Sequence, residues 1–165
     1  VSRDHPIEIR PPRMQDLTTI KVWLQDPELS KHLQVEKGKE LDEQLQFFLN
    51  PRAPSFTLVA TQKNKPIGLL VLFASDYQKI THWAHVSLIV APGKRRLGVA
   101  RSLLKEVDTW AAKRGCERLI LELYENPYAQ AFEKLGFKPY ATQEGYLKIG
   151  DQYLSRTLYK REVTC

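Results

Sequence analysis

The stretch from Val86 to Leu104 constrains the fold more than any other part of the chain. An apolar run, Val86-Ser-Leu-Ile-Val90, meets Ala91-Pro92-Gly93, a combination that ends a strand. A basic turn follows, Lys94-Arg95-Arg96-Leu97-Gly98-Val99-Ala100. Beyond it Ala100, Leu103, Leu104, Val107, Trp110 and Ala111 recur at the spacing of one helix face. Strand, basic turn and helix in this order make an anion site. The first helical turn has backbone N–H groups without intrahelical partners and carries the positive end of the macrodipole. Gly98 lets an oxygen approach the backbone closely, and Ala100 is too small to block it.

The remaining chain reads as strands and helices in alternation. Ile7 to Arg10 is a short strand closed by Pro11-Pro12, and Met14 to Gln25 a helix broken at Asp26-Pro27. Glu40 to Leu49 is a second helix, with Leu41, Leu45 and Phe48 inward. Phe56–Thr61 and Ile67–Phe73 pair across the turn Lys63-Asn-Lys-Pro66, and 81–90 is the next strand. After the helix of 98–114 come a strand over 118–124, a short helix from Tyr128 to Leu135, and two strands, 146–149 and 153–159, about Gly150-Asp151. The predicted order is β-α-α-β-β-β-α-β-α-β-β, an α/β (α+β) arrangement with antiparallel hairpins and one parallel crossover.

A chain of 165 residues supports one domain over 1–165. No run approaches the roughly 18 apolar residues of a membrane helix, and Val1-Ser-Arg-Asp-His-Pro6 lacks the apolar core of a signal peptide. The first residue is not Met, so the chain is expected to be trimmed or part of something longer. Two cysteines, Cys116 and Cys165, give no disulfide framework and point to the cytoplasm, with Cys116 structural. The net charge of +6 favours an anionic ligand without naming it. No aromatic-basic motif supports nucleic acid as that ligand.

Arg95-x-x-Gly98-x-Ala100 resembles the pyrophosphate-binding signature of the GCN5-related N-acetyltransferase (GNAT) family, Arg/Gln-x-x-Gly-x-Gly/Ala. A second stretch, Asn126-Pro-Tyr-Ala-Gln-Ala-Phe-Glu-Lys-Leu-Gly-Phe137, resembles the family's C-terminal motif and follows in the right order. The resemblance implies the acyl-CoA N-acyltransferase fold. This is a mixed central sheet of about six to seven strands with helices on both faces, splayed between strands 81–90 and 118–124. It implies acetyl-coenzyme A as co-substrate, inserted between the splayed strands. Backbone from Arg95 through Arg96, Leu97, Gly98, Val99, Ala100 and Arg101 would hold the pyrophosphate. Leu88, Ile89 and Val90 would supply an oxyanion donor, and Asn126, Ala129 and Phe132 would line the cofactor.

Direct acetyl transfer to a primary amine, on a small molecule or a peptide, needs a neutral nitrogen. At pH 7 an alkyl ammonium of pKa about 10.4 lies about 4–5 kcal/mol below its neutral form, so a base is wanted. The Glu of several family members falls on Ala84. His82, two residues upstream with the same parity, is the first candidate, Glu122 and water remain open, and His85 is expected under a helix. His82 and His85 are not a metal pair, since i and i+3 on a strand face opposite sides. The family's proton-donating Tyr falls on Phe132, with Tyr128 one turn earlier as a substitute. For the acceptor, Trp23, Asp26, Glu28, Glu36, Glu40, Asp42 and Glu43, with Tyr77, Tyr146 and Tyr153, would suit a cationic amine such as a polyamine or aminosugar.

Expected partners are therefore acetyl-coenzyme A and an amine acceptor, with a homodimer open and no membrane. Two rival readings stand beside this. A non-catalytic module that binds acyl-coenzyme A or a partner is favoured by Phe132 and Ala84, and a basic nucleic-acid-binding domain would bind in a steeply salt-dependent way.

Overall fold

A computed structural model describes residues 5–95 and 98–164. The expected Arg96 and Leu97 contacts lie outside the described residues. The elements are β1 (Glu8–Arg10), α1 (Asp16–Gln25), α2 (Pro27–Ser30), α3 (Lys39–Leu49), β2 (Phe56–Gln62), β3 (Lys65–Ala74), β4 (Trp83–Val90), α4 (Val99–Arg114), β5 (Arg118–Leu123), α5 (Ala129–Lys134), β6 (Lys138–Ile149) and β7 (Gln152–Glu162). Asp26-Pro27 breaks α1 as expected and also starts α2. The Asp26 carboxylate accepts a hydrogen bond from the Glu28 amide at 2.9 Å, and Pro27 sits where a missing N–H costs nothing. The last hairpin is far longer than the apolar pattern of its sequence, because β6 is an edge strand with mostly exposed residues and no buried face to reveal it.

The seven strands form one sheet in the order β1-β2-β3-β4-β5-β7-β6. All neighbours are antiparallel except β4 and β5. That parallel pair is the crossover about α4, as the strand–turn–helix run implied. α4 buries Leu103, Leu104, Val107 and Ala111 against Leu70, Leu72, Ala84, Val86 and Leu88 of the sheet. Each fully buried Leu or Val contributes about 1.5–3 kcal/mol. The other face carries α1 and α3, whose Ile20, Trp23, Leu24, Leu41, Leu45 and Phe48 cover Val59, Leu69 and Val71.

Gly68 sets how closely α4 approaches β3. A Cβ at this position would lie 2.5 Å from Val99 Cγ1 at the start of α4. Only glycine lets the helix start sit that close to the sheet.

β4 and β5 then part company. They pair from Trp83–Val86 to Arg118–Leu121 and no further. Ser87 to Val90 continue on β3 alone, while Glu122 and Leu123 continue on β7. The sheet opens into a V between the two strands.

Candidate active site

A cavity of about 340 Å³ fills the V. Its walls are His85 to Ile89 of β4, Ile120 to Tyr124 at the end of β5, and Leu24, His32, Gln34 and Phe48 from the helical side. The turn after β4 ends at Gly98, which caps α4 with φ +78°, a left-handed conformation that suits glycine. Among the described residues no side chain caps this helix, and none lies within 4 Å of the place a Cβ would occupy at Gly98. A helix start without a side-chain cap is an arrangement that suits a diphosphate. Arg95, just before, stacks its guanidinium 3.9 Å from the centre of the Tyr128 ring.

The strand parity expected for the base is reversed. Ala84, Val86 and Leu88 point into the core under α4, so His85, Ser87 and Ile89 take the cavity side. A carboxylate at position 84 would be buried among apolar side chains. His82 lies ahead of β4 and does not line the cavity. Its ring meets the Trp83 indole N–H, and its carbonyl accepts from the amides of Glu117 and Arg118 at 2.8 and 3.1 Å. His82 thus closes the start of the β4–β5 pair, and the imidazoles that line the cavity are those of His85, expected beneath a helix, and His32.

His85 faces Glu122, with Nδ1 3.9 Å from Oε1. The same Glu122 oxygen accepts a hydrogen bond from Arg156 at 2.8 Å, and its other oxygen lies 3.1 Å from the Tyr124 hydroxyl. That hydroxyl is also 2.9 Å from Gln34 Oε1, and its single proton serves one acceptor at a time. Burial first, then the Glu122 charge, pushes the Tyr124 phenol far above its usual pKa, so it stays protonated and donates. Tyr146 stacks on Tyr124 with ring centres 5.7 Å apart, and Arg156 lies over Tyr146 at 4.8 Å. His32 donates from Nδ1 to the Tyr124 carbonyl at 2.9 Å, which leaves Nε2 facing the cavity side as an acceptor when neutral.

Tyr128 does not line this cavity. It donates to Glu28 at 3.1 Å, and burial followed by that hydrogen bond raises its pKa. Phe132 is buried in the core against Phe137, Ala129 packs partly against the same core, and the Asn126 side chain accepts from the Tyr128 amide at 2.8 Å while Asn126 lines the cavity mouth. Burial raises the Cys116 thiol, which donates to the carbonyls of His82 and Arg118, a structural role.

None of the acidic residues expected to receive a cationic amine lines this cavity, and several are engaged elsewhere. Asp26 caps α2, Glu28 holds Tyr128, Asp42 pairs with Lys21 at 2.6 Å, and Trp23 is core. Tyr77 and Tyr153 are exposed on the outside. Among the described residues, Tyr146 is the member of that set that reaches the cluster, and Glu122 is the carboxylate in the cavity wall. The signal for it in the sequence is a charged residue inside the apolar run Leu119-Ile-Leu-Glu-Leu123.

Comparison with known proteins agrees with this geometry. Residues 18–137 match the model of the acetyltransferase (GNAT) family, most of the chain. The fold matches an N-acetyltransferase from Staphylococcus aureus Mu50, with TM-score 0.78, 19% identity, 96% of this chain and 99% of that one. It matches a ribosomal-protein-alanine N-acetyltransferase from Brucella melitensis, with TM-score 0.76, 21% identity, and 94% and 99% of the two chains. It also matches yncA from Salmonella typhimurium, a structure with its cofactor acetyl-CoA, with TM-score 0.75, 16% identity, and 96% and 94%. No curated protein matches the sequence significantly. The chain belongs to the GNAT acetyltransferase family: it is an acyltransferase, and acetyl-CoA is its co-substrate.

Proposed function

We propose that the enzyme acetylates a primary amine delivered to His85 and Glu122 in the V between β4 and β5. The observation that carries this is the pairing of an imidazole and a fixed carboxylate at 3.9 Å in the wall of that cavity. Acetyl-CoA, when bound, supplies a thioester whose carbon exchanges its bond to sulfur for one to the amine nitrogen.

The amides at the start of α4, from Gly98 to Arg101, hold the pyrophosphate, aided by Arg95. The unpaired edge of β4 from Ser87 to Val90 supports the extended arm and offers an N–H to the thioester oxygen. Glu122, held by Arg156 and Tyr124, attracts the ammonium. His85 carries a nitrogen lone pair into the cleft and passes the amine proton to solvent, with which its half-exposed ring is in contact. Tyr124 is a positioning residue that orients Glu122. The thiol leaves with a proton from water, since a thiolate of pKa near 8.5 is a tolerable leaving group.

The test is a comparison of His85→Ala and Glu122→Gln in a thiol-release assay over a panel of amines. Each is expected to lose about 10²–10⁴-fold in kcat/KM while binding acetyl-CoA as the parent does. Parent rates in both variants would reject this site.

A further inference from the structure

Beside the cavity lies an apolar recess of about 490 Å³ that the transfer reaction does not use. Its lining includes Phe73, Ile80, Trp83, Ile120 and Tyr140. These residues come from β3, β4, β5 and β6, with Ile80 from the segment just before β4. Ile80 and Tyr140 are 47% and 45% exposed, and both line this recess. Phe73, His85 and Ile120 line both the recess and the active-site cavity, so the two spaces are neighbours that share these side chains as a wall.

We propose that this recess holds the body of the acceptor, and that the acceptor is a primary amine carrying a neutral aromatic or branched apolar group. The proposal rests on amine transfer at His85 and Glu122. The amine at this pair puts its substituent on the Phe73 and Ile120 side, where the wall is apolar. The charges that touch the recess aromatics are cations: Arg118 lies 5.3 Å from the centre of Trp83, and Lys160 lies 5.6 Å from that of Tyr140. Arg118 is also tied to Glu162 at 2.9 Å, which fixes it at the rim. A second ammonium group on the acceptor would lie against apolar side chains, with one cation at the rim already paired to Glu162 and the other unfavourable to it. A diamine is therefore a poorer fit than an arylalkylamine.

The experiment uses the whole chain with acetyl-CoA and follows thiol release with 2-phenylethylamine, n-propylamine and putrescine. The expected kcat/KM for 2-phenylethylamine exceeds that for n-propylamine by about tenfold to a hundredfold, the worth of burying an aromatic group. Putrescine is expected to gain nothing over n-propylamine. Ile80→Lys, at an exposed position where folding is not at stake, should lower the phenylethylamine-to-propylamine ratio about tenfold. Acetyl-CoA titration in a calorimeter checks that the variant is folded. A ratio near one in the parent, or one unchanged by Ile80→Lys, overturns the recess and leaves amine transfer standing. An unchanged ratio together with a dimer that Ile80→Lys dissociates would assign the recess to a second copy of the chain. Bound acetyl-CoA with transfer to no amine overturns both readings.

Discussion

Ala84 and His85 are neighbours in sequence and belong to different chemistries. One is sealed beneath α4, and the other stands in the cleft beside Glu122. A shift of one position along a strand exchanges core for solvent, which is why counting residues along β4 can single out an imidazole that does not line the cavity. Gly98 is less ambiguous, because its left-handed φ is a requirement of the backbone itself. Gly98→Glu adds strain of about 1–2 kcal/mol and a negative charge beside the pyrophosphate amides. Acetyl-CoA affinity by calorimetry should fall at least about tenfold, or 1.4 kcal/mol. Gly98→Ala, which brings strain without charge, should fall less. Parent affinity in Gly98→Glu would remove the α4 terminus from the cofactor site.

At the scale of elements, the site depends on where α4 begins relative to β3 and on where β5 leaves β4. The first is fixed by Gly68 against Val99. Gly68→Ala would force its Cβ into a stiff, buried, β-branched side chain, and should cost about 1–3 kcal/mol in denaturant unfolding and weaken acetyl-CoA binding. Val99→Ala removes the obstructing methyl groups, so Gly68→Ala combined with Val99→Ala should cost less than the sum of the two single changes. Strict additivity would show that the close approach is not what glycine serves here. The elements themselves were largely legible in the sequence: the inward faces of α3 and α4, the hairpin of β2 and β3, and the crossover all follow from periodicity and turn residues. The true length of β6 was not, because an exposed edge strand has no apolar alternation to read.

For the whole molecule, the buried ion pair of Arg10 and Asp16 joins β1 to the start of α1, with bonds of 2.7 and 2.9 Å. Burial works against the Asp16 carboxylate, but the Arg10 hydrogen bonds and charge, together with the Arg13 amide, outweigh it and hold its pKa below the usual value. The unfolded chain binds this proton more readily than the folded one. The stabilisation is therefore present above the unfolded pKa of about 3.9 and is lost as pH falls through the folded value. Asp16→Asn should cost about 3 kcal/mol near neutrality, and the gap from the parent should begin to narrow as the pH falls below about 4 in unfolding curves. A gap that stays constant down to pH 2 would contradict this linkage.

By itself the sequence determined the strand–turn–helix run, the crossover and the family, because these rest on local chemistry: glycine at a left-handed turn and one apolar helix face. The proposed catalytic cluster rests on nothing local. His85, Glu122 and Arg156 lie on three strands, Tyr124 just past the end of β5, and Gln34 in the segment between α2 and α3. Only the tertiary structure brings them together, because which face of β4 is covered by α4, and how far β5 follows it before turning to β7, are decided by packing across the sheet.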